Sequence, residues 1–134
     1  MYSYPEVFSK LTYETALVTF LKKDGTIRVM LCTRNLDTIS IKYGFQGASL
    51  GGHDNRCNIK NGNIAAFDLV LGEARAFNID RIVGIHYSGI VTSAEHLEKC
   101  INSYFEFKEK YEATHSMTLD MDTFDNKEGS EENC

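Results

Sequence analysis

TALVTFLKKDGTIRVMLCT (Thr15–Thr33) sets two β-rich runs on either side of Lys23-Asp24-Gly25. Threonine, valine, isoleucine and phenylalanine suit a pleated, half-buried surface, and Asp-Gly supplies the positive φ that a tight hairpin demands. The stretch therefore predicts strands over about 15–22 and 26–33, joined by a short turn. The hairpin displays Lys22, Lys23, Arg28 and Arg34 against only Asp24 and Asp37, a local excess of positive charge. Such an edge can track a phosphate backbone, or it can be a solvated border that discourages strand addition. Phe20, Tyr43 and Phe45 offer stacking faces for bases or, equally, core.

Working C-terminally, TRNLDTISIKYGFQGASLGGHDNR (33–56) holds four glycines and no sustained apolar period, so residues 34–55 are expected to leave the sheet as a long loop. Its GFQGASLGG core (Gly44–Gly52) lacks the Gly-Lys-Ser/Thr ending of a P-loop, and its glycines are not spaced as in a dinucleotide fold. From Arg56 to Ile79, Asn61-Gly62 and Leu71-Gly72-Glu73 each separate β-type runs, which predicts a three-stranded meander. Ile79-Asp80-Arg81 reads as one tight turn before a last short strand in RIVGIHYSGIV (Arg81–Val91).

Several short antiparallel strands cannot bury a two-sided core as a flat sheet, so closure into a small barrel is the economical expectation. After Thr92 the period becomes helical. Thr92-Ser-Ala-Glu95 has capping-box spacing, and Leu97, Ile101, Tyr104, Phe105 and Tyr111 form one stripe, so residues 92–111 are read as a helix packed on the barrel. The fold class expected is mainly β: a small antiparallel barrel with one C-terminal helix, α+β overall. It occupies residues 1–91 with an N-terminal extension, ahead of the helix and a tail over 112–134.

Composition bounds the function. With 134 residues, 43% hydrophobic and 25% charged, the chain suits one globular domain. The N-terminus lacks the pattern of a signal peptide, and no run approaches the length of a membrane span, so a soluble cytosolic protein without a membrane partner is expected. The net charge of −5 is uneven. Residues 112–134 carry seven acids against Lys127 alone, which leaves 13 basic and 12 acidic residues over 1–111. A near-neutral body takes up phosphate only through local clustering, and the acidic, core-poor tail is expected to be disordered or to serve as an interaction segment through Met117, Leu119, Met121 and Phe124.

In EARAFNIDRI (Glu73–Ile82), strand alternation puts Arg75 in line with Phe77 and Ile79, a full charge on a core face. Arg75 and Arg81 together would make a bidentate anion site at the rim; equally, Glu73 and Asp80 could pair with them as salt bridges. For Arg75 the two readings weigh the same, whereas Arg81 beside Asp80 leans toward the pair.

Four cysteines, at positions 32, 57, 100 and 134, lack the short spacing of a zinc knuckle and read as free thiols. His53 with Cys57 and His96 with Cys100 share an atypical spacing for zinc, so no metal and no cofactor is assigned. No nucleophile–base arrangement is legible, and the chain is read as a non-enzyme.

FLKKDGTIRVMLCTRNLDTI, NIAAFDLV and GEARAFNIDRIVGI together resemble a family of small phage proteins related to WYL domains, over about residues 15–87. The resemblance implies that the barrel is of SH3-like or Sm-like type, a phage origin and hence the host cytoplasm. WYL-like domains are thought to sense nucleotides or nucleic-acid ends through an arginine near this close, which makes Arg75 the candidate. The reading is thus a binding module for nucleotide or nucleic acid in a regulatory role, with Arg75, Arg81, Lys22, Lys23, Arg28 and Arg34 as ligand residues. The alternative is a protein-interaction module that binds a host or phage protein through its loop, helix or tail; an oligomer is compatible with both.

Overall fold

A computed structural model describes residues 2–44 and 60–114. In chain order these form α1 (Tyr4–Tyr13), β1 (Thr15–Leu21), β2 (Ile27–Thr33), α2 (Leu36–Tyr43), β3 (Asn63–Asp68), β4 (Glu73–Asn78), a 3₁₀ turn (Ile79–Arg81), β5 (Ile82–Gly89) and α3 (Ala94–Thr114). The hairpin forms as its residues require. Leu21 pairs with Ile27, and the turn closes through Lys22 N–H to Thr26 O (2.8 Å), with Gly25 at φ +91°. Asp24 accepts from both the Thr26 hydroxyl and the Thr26 amide (2.6 and 2.9 Å), and these bonds hold its carboxyl below the usual range.

All strand pairs are antiparallel, in the order β4-β3-β2-β1-β5. Two shifts of register interrupt β1 against β5, and only Cys32↔Asp68 and Thr33↔Phe67 join β2 to β3. Phe20 of β1 nevertheless stacks on Phe77 of β4, centroids 5.1 Å apart, although two strands lie between them in the ladder. The sheet curls across its own core. Among the described residues β4 and β5 do not pair, so it ends at two edges.

The expected mainly β fold, a closed SH3-like or Sm-like barrel with one helix, is therefore corrected: among the described residues the sheet is open, there are three helices, and helix and strand contents are nearly equal. The physical reason lies in β1. Every residue from Thr15 to Phe20 is buried, on both faces of the strand, so the sheet is covered by helices as well as by its own curl.

Part of that cover comes from α1, in the expected N-terminal extension. Ser3 and Glu6 form its capping box, Ser3 Oγ taking the Glu6 amide (3.3 Å) and donating to Glu6 Oε1 (3.2 Å), with Pro5 in the first turn. Val7 and Leu11 are buried, and the Leu11 carbonyl accepts from the Arg34 amide and the Thr33 hydroxyl. The second unexpected helix, α2, stands where a loop was expected. Asn35 caps it through the Thr38 amide (3.0 Å), Ile39 is buried, and the Thr38 hydroxyl donates to the Val91 carbonyl (2.8 Å). Residues 45–59, including the first run of the expected meander, and the tail from 115 onward lie outside the described residues.

Helix α3 begins two residues later than expected, with Ser93 rather than Thr92 receiving the first-turn amide of His96 (3.1 Å). Leu97 and Tyr104 are buried, and Ile101, Phe107 and Tyr111 pack on the core. Phe105, expected on this stripe, instead faces outward at 52% exposure. No helix among the described residues is long and apolar enough to cross a membrane.

Candidate functional site

Five of the six candidate cations fall at two places in the fold. The first is centred on Asp68, at the end of β3. Its Oδ1 accepts the amides of Val70 and Leu71 (both 2.9 Å), an Asx turn that reverses the chain toward β4. Gly72 completes the reversal at φ +76°; a Cβ there would lie 2.8 Å from the Tyr43 ring, whose hydroxyl donates to the Leu69 carbonyl. The turn carries β4 back with Arg75 opposite Ala66 and Glu73 opposite Asp68.

Arg75 thereby lies beside two acids: Nε is 3.7 Å from Asp68 Oδ2 and Nη2 2.8 Å from Glu73 Oε2, with the side chain 11% exposed. Arg28 of β2 acts on the same carboxylate. Burial pushes the Asp68 carboxyl up, and the two amides and the two arginines oppose that shift without cancelling it. Nearby, burial raises the Tyr104 hydroxyl to about 12, and the field of Asp68 adds to the effect. Cys32, paired with Asp68 across β2 and β3, is raised too by burial and then by that carboxylate.

The second group stands at the hairpin turn. Arg81 leaves the 3₁₀ turn and donates from Nη1 to the Lys22 carbonyl (3.2 Å), so two segments almost 60 residues apart meet there. Among the described residues Arg81 makes no ion pair with Asp80; the turn is held instead by Asn78, whose side chain caps the Asp80 amide (2.9 Å). Arg81 and Lys23 are exposed, while Lys22 is largely covered at 7%.

Of the six cations, Arg81 is joined to the turn of Lys22 and Lys23 through the Lys22 backbone carbonyl, Arg28 and Arg75 gather around Asp68, and Arg34 joins neither. Arg34 donates to the Ala65 carbonyl (2.5 Å) and lies over the Phe8 ring at 4.6 Å. Phe20 and Tyr43 belong to the core and its margin; Phe45 lies outside the described residues. So do His53 and Cys57, and among the described residues no three His, Cys, Asp or Glu side chains are grouped to hold a metal ion. Asp68 was not singled out from the sequence. Its signal was the Asp-Leu-Val-Leu-Gly turn, which places a buried acid within reach of Arg75.

The hairpin, the Asp68 turn and the 3₁₀ close all fall within residues 6–83, and over that span the chain matches a family model described as WYL_2, Sm-like SH3 beta-barrel fold. The chain belongs to the WYL_2 family. No curated protein and no solved structure gives a significant match. The match confirms the WYL-like resemblance and extends it N-terminally across α1. The barrel of the family description corresponds in this WYL_2 chain to the curled sheet, open between β4 and β5. Family membership supports a general binding role.

Proposed function

We propose that this WYL_2 chain is a non-enzymatic phage accessory module that binds a phosphate-bearing ligand, a nucleotide or nucleic acid, in a regulatory role. Its contact surface is the hairpin edge, where Lys23 is exposed and where exposed Arg81 is joined through the backbone of the largely covered Lys22. The observation that carries the reading is the Arg81 hydrogen bond to the Lys22 backbone carbonyl, which holds an exposed guanidinium at the turn that carries exposed Lys23, on a chain whose body is otherwise near neutral. Arg28, Arg34 and Arg75 are left to their protein contacts and shape the sheet behind that edge.

Anisotropy titration of a labelled single-stranded oligonucleotide and of a labelled nucleotide, each at two salt concentrations, tests this. Lys23→Glu and Arg81→Glu should weaken binding, and binding by the parent chain should fall as salt rises. Binding that ignores both substitutions and salt would reject the reading. A second reading, a module for a host or phage protein, is favoured by Phe105 on the outward side of α3, an exposed aromatic of the kind that anchors protein interfaces.

A further inference from the structure

The two edges of the sheet differ in how they are finished. β4 carries Glu73 and Arg75. β5 has neither defence: between Arg81 and Glu95 the sequence contains no Asp, Glu, Lys, Arg or Pro, although a quarter of the chain is charged. Natural edge strands are commonly blunted with charge or proline to prevent strand addition, and a long uncharged edge is a template for it.

The local contacts fit an edge with room for another strand. The Ile85 amide donates to the Tyr2 hydroxyl (3.3 Å), a side-chain acceptor standing where a neighbouring strand would offer a carbonyl. Between β5 and α1 lies a groove of about 780 Å³ bordered by Tyr2, Tyr13, Ile85 and Tyr87. Val83 (48%) and Ile90 (63%) are exposed along the same segment. Charge selects the occupant. The cation at the groove, Lys10, is engaged by Ser88 Oγ (3.3 Å) and Glu14 (3.8 Å), and Glu6 and Glu14 add negative charge, so a nucleic acid or an acidic segment is disfavoured. What fits is an uncharged extended strand, and β5 is itself one.

We propose that β5 pairs antiparallel with β5 of a second copy of this chain, giving a two-fold dimer with one continuous sheet. An isologous pairing replaces the Tyr2 hydroxyl at the Ile85 amide with a backbone carbonyl of the other copy, and an uncharged strand meets its own image without like-charge repulsion. A two-fold axis near Ile85 sets Val83 opposite Tyr87 of the other copy, with the groove taking apolar side chains.

Sedimentation equilibrium of the full chain tests this across about a hundredfold range of concentration, since self-association follows mass action. The mass should rise to twice the 15.1 kDa of one chain. Val83→Lys should return it to one chain with an unchanged circular dichroism spectrum, whereas Leu71→Lys, in the exposed β3–β4 turn, should leave the dimer intact. Concentration-dependent hydrogen-exchange protection of the β5 amides should accompany dimer formation. A single-chain mass at every concentration overturns the proposal. So does a dimer that survives Val83→Lys with β5 unprotected, or one that disappears on removal of residues 115–134. None of these outcomes depends on whether the hairpin edge binds phosphate.

Discussion

Arg75 and Arg81 stand six residues apart, on β4 and at the end of the 3₁₀ turn that follows it, and the same side chain meets opposite settings. Arg75 is enclosed, with Asp68 and Glu73 as counter-charges; Arg81 is exposed and rests on a backbone carbonyl. The difference comes from the turns at the two ends of β4. The Asx turn at Asp68 buries a carboxylate that requires a cation, while the 3₁₀ turn is closed by Asn78 and leaves its arginine directed at the hairpin. Charge in a sequence thus acquires a role only once the fold has chosen its neighbours.

The largest effect expected is from Arg75→Ala. Removing one partner of a buried ion pair costs about 3–5 kcal/mol, and because Arg28 and the Val70 and Leu71 amides stay on the Asp68 carboxylate, the loss is expected at the lower end of that range. Chemical denaturation should show a loss of that size; a loss below about 1 kcal/mol, the range of exposed pairs, would erase the contrast with Arg81.

A double-mutant cycle sharpens the contrast next. Asp68→Asn and Arg75→Ala should couple by about 0.5–3 kcal/mol, the range for groups in one network, whereas Asp68→Asn and Arg81→Ala should add within about 0.5 kcal/mol. Acidity gives a further separation with a definite sign. Because burial raises the folded carboxyl of Asp68, its contribution is fullest below the unfolded value of about 3.9 and is lost as pH rises through the folded value. Arg75→Ala raises that carboxyl further, so the penalty should shrink on acidification as Asp68 takes up its proton. Melting curves from neutral to acidic pH should show this narrowing for Arg75→Ala and none for Arg81→Ala. The smallest effect is on the stability of Arg81→Ala itself, about 0–1 kcal/mol, while ligand binding falls.

These outcomes also mark what the sequence disclosed. The hairpin, the 3₁₀ turn and the C-terminal helix were legible because turn chemistry and apolar period agree locally: Asp24-Gly25, Ile79-Asp80-Arg81, and Leu97 with Tyr104. Helix α1 was legible too, in Ser3-x-x-Glu6 with Pro5 and in the spacing of Val7 and Leu11, but its brevity and position beside the terminus concealed it. Helix α2 has only the cap at Asn35 and one fully buried apolar residue, Ile39, so its local signal is weak and its contacts with Val91 decide it. Closure was overestimated because the sign of α1, which supplies part of the helical cover on β1, was weak beside the strand pattern. In the candidate site, alternation correctly aligned Arg75 with Phe77 toward the core. The meeting of Arg81 with Lys22 is a contact between distant segments, and no local pattern announces it.

Under the proposed function, phosphate is received at the hairpin edge and not at the Asp68 cluster. Backbone amide shifts of the ¹⁵N-labelled full chain, followed during titration with a single-stranded oligonucleotide, test it most directly. Salt-sensitive shifts should concentrate at Lys22–Thr26 and Ile79–Ile82, with the amides of Glu73–Arg75 nearly still. Shifts centred on Glu73–Arg75, or none anywhere at saturating oligonucleotide, would contradict it.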